Sequence, residues 1–314
     1  MDDTSSKFRR IGAGFCGTVW TAAEGGSAYK REDGGPDRSL RNDSNMHQRL
    51  SDCMRDTIVQ IPIHHDFITP NDDWWGRNLS RFPEGYKPCN MIHAQRIPAV
   101  RGEIRQLLTI RFCPPGLANE ILESDTNRDC LIRPYLGRRR ISRPSRFRAF
   151  SLRNYPLHID QMEELGIPED DIRDYARAMA EALAVMHWVG EVDGNDIEFV
   201  LATPNNGTGM RKDMEGRIWH NALGEHQMWL LDFDLVRDMT MDEQGVRQAV
   251  TAFLKNDPFC PRPDQHSELW ATFRQQYLVI SEKCLSNSKV LHRDHVSQTQ
   301  SLPELFIHLL ESQT

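Results

Sequence analysis

The segment Ile11-Gly12-Ala13-Gly14-Phe15-Cys16-Gly17-Thr18-Val19 contains three glycines with the spacing G-x-G-x-x-G. Glycine lets a backbone bend tightly and lets its amide groups approach a phosphate. Residues 8–11 and 18–22 alternate like strands on either side, and Gly25-Gly26 turns the chain into a third short strand at 27–30. A dinucleotide-binding motif would need a helix directly after the glycines, whereas this continuation is β-prone. The pattern therefore predicts a β-hairpin, which is either an ordinary tight bend or a phosphate cradle.

A lysine and an acidic tripeptide extend this pattern. Lys30 ends the third predicted strand, and Asp232-Phe233-Asp234 follows a short apolar strand at 228–231. In protein kinases a lysine on the strand after the glycine hairpin contacts phosphates, and the aspartate of D-F-G holds magnesium. Residues 39–53 predict a helix where a kinase carries the glutamate that pairs with this lysine. No glutamate is present there, which leaves Asp43 as a weak stand-in.

The organisation of the chain predicts an α+β, protein-kinase-like fold with two lobes. A small β-rich N-lobe would span residues 1–98 with strands near 61–68 and 91–98, and a larger, mainly helical C-lobe would span 99–314. The clearest helix begins at Pro168, continues with apolar residues at helical spacing to Met186 and ends at Gly190.

The segment after this helix holds candidate catalytic acids. Asp193 and Glu198 have the five-residue separation of the catalytic Asp and the metal-binding Asn in H-R-D-L-x-x-x-N, although no His-Arg precedes Asp193. The cleft would then gather five carboxylates, which are Asp193, Asp196, Glu198, Asp232 and Asp234. Like charges raise each other's pKa, so these acids need cations. Magnesium would preserve phosphoryl transfer, a guanidinium or ammonium group would make a recognition pocket, and some acids would only cap turns.

Charge and composition limit the class of protein. The net charge of −7 argues against indiscriminate nucleic-acid binding, but residues 133–153 contain eight arginines and no acid, which indicates either a polyanion-binding stretch or a solvated loop. The absence of a long apolar run and of an apolar signal core predicts a cytoplasmic protein without membrane attachment. Seven scattered cysteines without a C-x-x-C pair support neither a disulfide framework nor a zinc site.

Several segments together resemble a fungal, kinase-related family, the arginine-containing cyclodipeptide synthases, whose members were long of unknown function and often labelled zinc-finger proteins. The segments are 193–201, 95–98, 231–234 and 257–263 with Trp270, Phe273 and Tyr277. The resemblance covers about residues 8–280. It implies condensation of arginine from Arg-tRNA with the residue of a second aminoacyl-tRNA to give a diketopiperazine, with no cofactor. An ATP-dependent kinase-like phosphotransferase and a pseudokinase scaffold that binds a partner protein are the alternatives.

This resemblance also suggests roles for individual residues. Asp193 or Glu198 would remove a proton from the attacking amine, and Asp232 or Asp234 would bind guanidinium. The catalytic candidates are Asp193, Glu198 and Asp232, and the substrate-binding candidates are Asp234, Asp196, Lys30, Gly12, Gly14 and Gly17. The cleft would accept the terminal adenosine of tRNA, while arginines would follow its phosphates. The tRNA-binding candidates are Arg138, Arg139, Arg140, Arg143, Arg146 and Arg148.

Overall fold

Five strands from the first 95 residues form an antiparallel sheet in the computed structural model of the protein. They are β1 Arg9–Ala13, β2 Thr18–Thr21, β3 Ser27–Arg31, β4 His64–Ile68 and β5 Met91–Gln95, in the order β1-β2-β3-β5-β4. The structure describes residues 6–14, 17–22, 26–33, 39–140, 150–204, 216–287 and 301–313. Ala13 pairs with Thr18 across β1 and β2, so the hairpin predicted from the glycine spacing is confirmed.

Helix α1, Leu40–Cys53, packs on β4 and β5 and confirms the helix predicted over 39–53. The Ser39 hydroxyl caps its first turn by accepting a hydrogen bond from the backbone N–H of Asn42 at 3.2 Å. The predicted inner face, Leu40, Asp43, His47 and Leu50, is buried. The helix therefore directs the side chains of Asp43 and His47 into the protein interior.

A second five-stranded sheet lies in the remainder of the chain. Its strands are β6 Ile132–Tyr135, β7 Tyr155–His158, β8 Glu198–Ala202, β9 Trp219–Asn221 and β10 Gly224–Leu231, in the order β7-β6-β8-β10-β9. β6 and β7 pair in parallel, while β8 pairs antiparallel with both β6 and β10. The sequence predicted only the end of β10 and a mainly helical region here. β6 and β7 are four residues each, too short for an alternation to show, and they pair across a long connection.

The two sheets are connected through the segment that follows α1. The backbone N–H of Gln60 donates to Met228 O at 2.9 Å, and Leu230 N donates to Gln60 O at 2.8 Å. This short pairing attaches the chain leaving α1 to the edge of β10, just before Asp232. The positions of α1 and of the acidic tripeptide are therefore coupled through the backbone.

Eight further helices complete the described fold. They are α2 Trp74–Asn78, α3 Gly102–Phe112, α4 Ala118–Glu123, α5 Ile159–Glu164, α6 Glu169–Trp188, α7 Glu243–Lys255, α8 Ser267–Asn287 and α9 Leu302–Ser312. α6 confirms the helix predicted after Pro168, with Pro168 as its N-cap and three acids in its first turn. α6 packs along α8 and its inner face forms the main core with the second sheet. Among the described residues, no helix combines the length and apolar character needed to cross a membrane.

Candidate functional site

Lys30 on β3 is shared by two carboxylates. Its Nζ lies 2.5 Å from Asp43 Oδ2 on α1 and 2.8 Å from Asp232 Oδ1 after β10. Asp43 is 3% exposed and Lys30 is half-buried, so this pair is shielded from water. The residue that the sequence offered as a weak stand-in for a kinase glutamate therefore forms the expected ion pair. Because two acids share one ammonium, the group keeps a net negative charge.

The start of α1 also holds the segment after Asp232. Asp43 Oδ1 accepts a hydrogen bond from Phe233 N at 3.2 Å, so both oxygens of this carboxylate are used. Asn42 Nδ2 donates to the backbone carbonyls of Asp234 at 2.9 Å and Val236 at 3.0 Å. Asp232 itself has φ +67°, a left-handed conformation that costs an ordinary residue about 1–2 kcal/mol. These contacts fix the direction of the Asp232 carboxylate toward Lys30.

We expect Asn42→Ala to lower the free energy of unfolding by about 1–3 kcal/mol, because it leaves carbonyl groups without a donor. Asn45→Ala on the exposed face of the same helix is the matched control and should change the unfolding free energy far less. Chemical denaturation of both variants measures the difference. Equal effects of the two substitutions would show that the contacts of Asn42 do not hold this segment.

Glu198 faces this group from the neighbouring strand. Its position on β8 is opposite Leu231, the last residue before Asp232. Glu198 forms an ion pair with Arg133 on β6, and burial raises the pKa of Glu198 to about 7. Arg133 and Lys30 oppose this rise in pKa, whereas the charge of Asp232 adds to it. Glu198 therefore takes up a proton more readily than an exposed glutamate does.

Arg133 extends the site to residues that the sequence analysis did not single out. Its Nη1 lies 3.6 Å from Asp257 Oδ2, and the Tyr135 hydroxyl donates to the same oxygen at 2.6 Å. Arg133 and Tyr135 are two positions apart on β6, so they share one face of the strand. The two-residue spacing of Arg133 and Tyr135 is visible in the sequence. Both residues belong to the arginine-rich stretch, which is interpreted from the sequence as a polyanion-binding segment or a solvated loop. The surplus of acids is thus partly neutralised by Lys30 and Arg133 of the same chain, without an external cation.

The other acids predicted for the cleft lie elsewhere. Asp193 is 5% exposed and accepts hydrogen bonds from the backbone N–H groups of Asn195 and Arg237 and from the side chain of Gln248. Asp234 is fully buried. Asp196 has φ +62° in a turn, and its backbone N–H donates to Asn256 Oδ1 at 2.6 Å. The structure therefore brings Lys30, Glu198 and Asp232 together. Asp193, Asp196 and Asp234 lie outside this group.

The predicted glycines form the end of the first hairpin. Gly12 lies in β1 opposite Val19, and Gly14 N donates to Gly17 O at 2.9 Å. Gly17 has φ +150°, and a Cβ at this position would overlap the carbonyl oxygen of Arg31. Gly17 is therefore required by the backbone of β3. Residues 15–16, including Cys16, lie outside the described residues.

The described arginines of the predicted tRNA-binding stretch already have partners. Arg139 pairs with Glu163 at 2.5 Å, and Arg140 pairs with Asp160 at 2.5 Å, both acids of α5. Arg138 lies over the Tyr135 ring, with its guanidinium carbon 5.8 Å from the ring centroid. These acids reduce the positive field that a polyanion would meet. Arg143, Arg146 and Arg148 lie outside the described residues.

Comparison with known proteins finds similarity over the last part of the site. The family DUF3669, described as zinc finger protein, matches residues 228–289, from β10 through α8. No curated protein matches the chain. The matching family does not indicate a cyclodipeptide synthase, so the resemblance inferred from the sequence is wrong. Part of its motif set has a structural explanation, because Trp270, Phe273 and Tyr277 are buried core residues of α8.

The matched range contains two cysteines and one histidine, Cys260, Cys284 and His266. Burial raises the pKa of the Cys260 thiol to about 12, which opposes the thiolate form that zinc requires. Across the described parts of the chain, no group of three or more His, Cys, Asp or Glu side chains is arranged to hold a metal ion. The description as a zinc finger protein belongs to the family, and the described residues of this chain offer no zinc ligand set.

Proposed function

We propose that the protein is a kinase-like phosphotransferase that binds a nucleoside triphosphate with magnesium. The observation that carries the proposal is Lys30, whose ammonium is held between Asp43 and Asp232 at 2.5 and 2.8 Å. Kinases hold a strand lysine against a helix acid in this way and place the metal-binding aspartate beside it. The pairing of three residues so distant in sequence is a specific feature, which a glycine-rich hairpin alone is not.

The remaining architecture supports a kinase-like, two-lobed arrangement. Residues 1–98 would form the N-lobe, with the glycine hairpin β1–β2 above the nucleotide. Residues 99–314 would form the C-lobe, in which α6 leads into the loop before β8 and the β8–β10 pair carries Glu198 and Asp232 to the same end. The nucleotide would lie between the two sheets, with its phosphates toward Lys30.

Magnesium fits the residues at this end of the second sheet. Mg²⁺ is commonly held by one or two carboxylates together with substrate phosphates and water. Asp232 and Glu198 would hold it, and their side chains are 29% and 19% exposed. When bound, the ion would neutralise charge on the phosphates. Lys30 would turn from Asp232 toward a phosphate oxygen while Asp43 keeps its ammonium in place.

Calorimetric titration with ATP and with GTP, each with and without magnesium, tests this proposal. We expect magnesium-dependent binding of one of them, with a dissociation constant of about 1 μM–1 mM. Affinity should rise between pH 6 and pH 8, because the Glu198 pKa of about 7 means that the ligating carboxylate form increases over this range. Absence of binding to either nucleotide at pH 8 with magnesium would refute the proposal.

Two other activities remain distinguishable by experiment. Condensation of aminoacyl-tRNAs stays a prediction, since no contact of the described residues tests it. Mass spectrometry of extracts from an expressing host would detect an arginine-containing diketopiperazine.

A pseudokinase scaffold would bind a nucleotide or a partner protein without transferring phosphate. Incubation with radiolabelled ATP separates this outcome from the proposed phosphotransferase.

A further inference from the structure

The proposed reaction needs a side chain that receives the proton of the acceptor. Asp193 stands at the position of the catalytic Asp in the kinase motif, but both of its carboxylate oxygens already accept hydrogen bonds within the protein. Asp193 Oδ1 accepts hydrogen bonds from Asn195 N at 3.1 Å and Arg237 N at 3.0 Å, and its Oδ2 accepts one from Gln248 Nε2 at 2.8 Å. With 5% of the residue exposed, an acceptor has almost no access to it. Asp193 therefore stabilises the loop instead of contacting substrate.

Asp257 is the exposed carboxylate next to the site. Half of its side chain, 50%, is accessible to solvent. Its Oδ2 accepts the Tyr135 hydroxyl at 2.6 Å and lies 3.6 Å from Arg133 Nη1, while another nitrogen of Arg133 binds Glu198. Arg133 thus joins Asp257 to the proposed metal-binding end of the cleft. Within the described parts of the chain, the hydrogen bond and the ion pair of Asp257 both involve Oδ2, which leaves its second oxygen for a substrate.

The backbone around Asp257 is fixed on both sides. Leu136 N donates to Phe259 O and Gly137 N donates to Pro258 O, each at 2.9 Å. The preceding residue, Asn256, donates to Gly194 O at 2.9 Å and so connects Asp257 to the loop that carries Asp193. A carboxylate held by rigid neighbours on both sides has the preorganisation that a catalytic group requires.

We infer that Asp257 is the catalytic residue on the acceptor side of this cleft, with Arg133 and Tyr135 as positioning residues. The inference rests on the proposed phosphotransferase function. An acceptor hydroxyl hydrogen-bonds to the free oxygen of Asp257, and its oxygen forms a bond to the γ-phosphorus. The bond from that phosphorus to the bridging oxygen breaks, and the nucleoside diphosphate leaves with the electron pair. The acceptor proton passes to Asp257.

The test uses ATP with magnesium as donor and water as acceptor, with release of inorganic phosphate as the measure. Asp257→Asn should lower kcat by about 100-fold or more, as for loss of a general base, and leave the dissociation constant of the nucleotide unchanged. Asp264→Asn, an exposed acid in the same loop, is the matched control and should behave as the unmodified protein. Asp193→Asn should lower the melting temperature because it removes an acceptor from a buried network.

Tyr135→Phe supplies a second readout that a purely structural role would not give. It removes the hydrogen bond that orients the Asp257 carboxylate, so kcat should fall while the dissociation constant of the nucleotide stays unchanged. Normal phosphate release by Asp257→Asn overturns this assignment alone. Nucleotide binding without any phosphate release or transfer by the unmodified protein overturns both the assignment and the proposed phosphotransferase activity. Absence of nucleotide binding in the unmodified protein overturns the proposed function as well.

Discussion

Lys30→Met is expected to remove phosphate transfer and to lower the free energy of unfolding by about 3–5 kcal/mol, the usual cost of removing one partner of a buried ion pair. The cause is Asp43, which is 3% exposed and would lose its counter-ion while Asp232 stays nearby. Urea unfolding and phosphate release measure the two effects. Lys87→Met, at an exposed lysine of the same region, is the control and should leave both unchanged.

A double substitution separates stability from function. Lys30→Met combined with Asp43→Asn removes the uncompensated charge, so most of the lost stability should return, because an amide is far cheaper to bury than an unpaired carboxylate. Phosphate transfer should remain absent, since the cation that contacts the phosphate is missing. Recovery of transfer in the double variant would show that Lys30 acts only in folding.

Acidification from pH 7.5 to pH 5 is expected to lower the free energy of unfolding by about 2 kcal/mol, because two buried histidines each remove about 2 kcal/mol and proton uptake by Glu198, whose folded pKa is about 7, returns about 2 kcal/mol. Burial lowers the pKa of His187 to about 3 and that of His226 to about 4. An unfolded histidine takes up a proton near pH 6.5, so below that pH the unfolded state binds more protons than the folded one. Stability contributed by the neutral rings is therefore present above pH 6.5 and is lost as pH falls toward 4.

The structural setting explains why these rings stay neutral. His187 Nδ1 lies 2.9 Å from the Tyr277 hydroxyl, and His226 Nε2 lies 2.5 Å from the Tyr175 hydroxyl, all in the core around α6. Urea unfolding at both pH values measures the loss of stability. His220→Gln, at a ring that is 65% exposed, is the control and should leave the pH dependence unchanged. Equal unfolding free energies at pH 7.5 and pH 5 would contradict the expectation.

Local sequence patterns predicted the elements that local interactions create. The glycine spacing gave the β1–β2 hairpin, and Ser39 with apolar residues at helical spacing gave α1. α6 followed from its acidic first turn and long buried face. These predictions succeeded because capping, backbone conformation and a single-sided apolar face depend on residues within a few positions of one another. β6 and β7 gave no such signal, because their pairing joins residues more than 20 positions apart.

The candidate site also combines features that local sequence predicts with contacts that only distant segments supply. The sequence proposed Lys30, Asp232 and Glu198 as neighbours, and the structure brings them together, but it also places Arg133 and Asp257 there and ties Asp193 into a buried network. A five-residue spacing fixes where a carboxylate lies along the chain and says nothing about the donors that other segments bring to it. Arg237 and Gln248, more than 40 positions away in the sequence, donate the hydrogen bonds that hold the Asp193 carboxylate inside the protein.

The amino-acid sequence by itself predicted a glycine hairpin followed by a strand lysine, a helix carrying Asp43, acids after one later strand and further acids in the loop after α6. Only the tertiary structure decided which of those acids Lys30 holds and which face the open site. The physical reason is that ion pairing and burial depend on distances of a few ångströms between segments as far apart as Lys30 and Asp232. Those distances are set by the packing of α1 against the first sheet and by its attachment to β10 through Gln60.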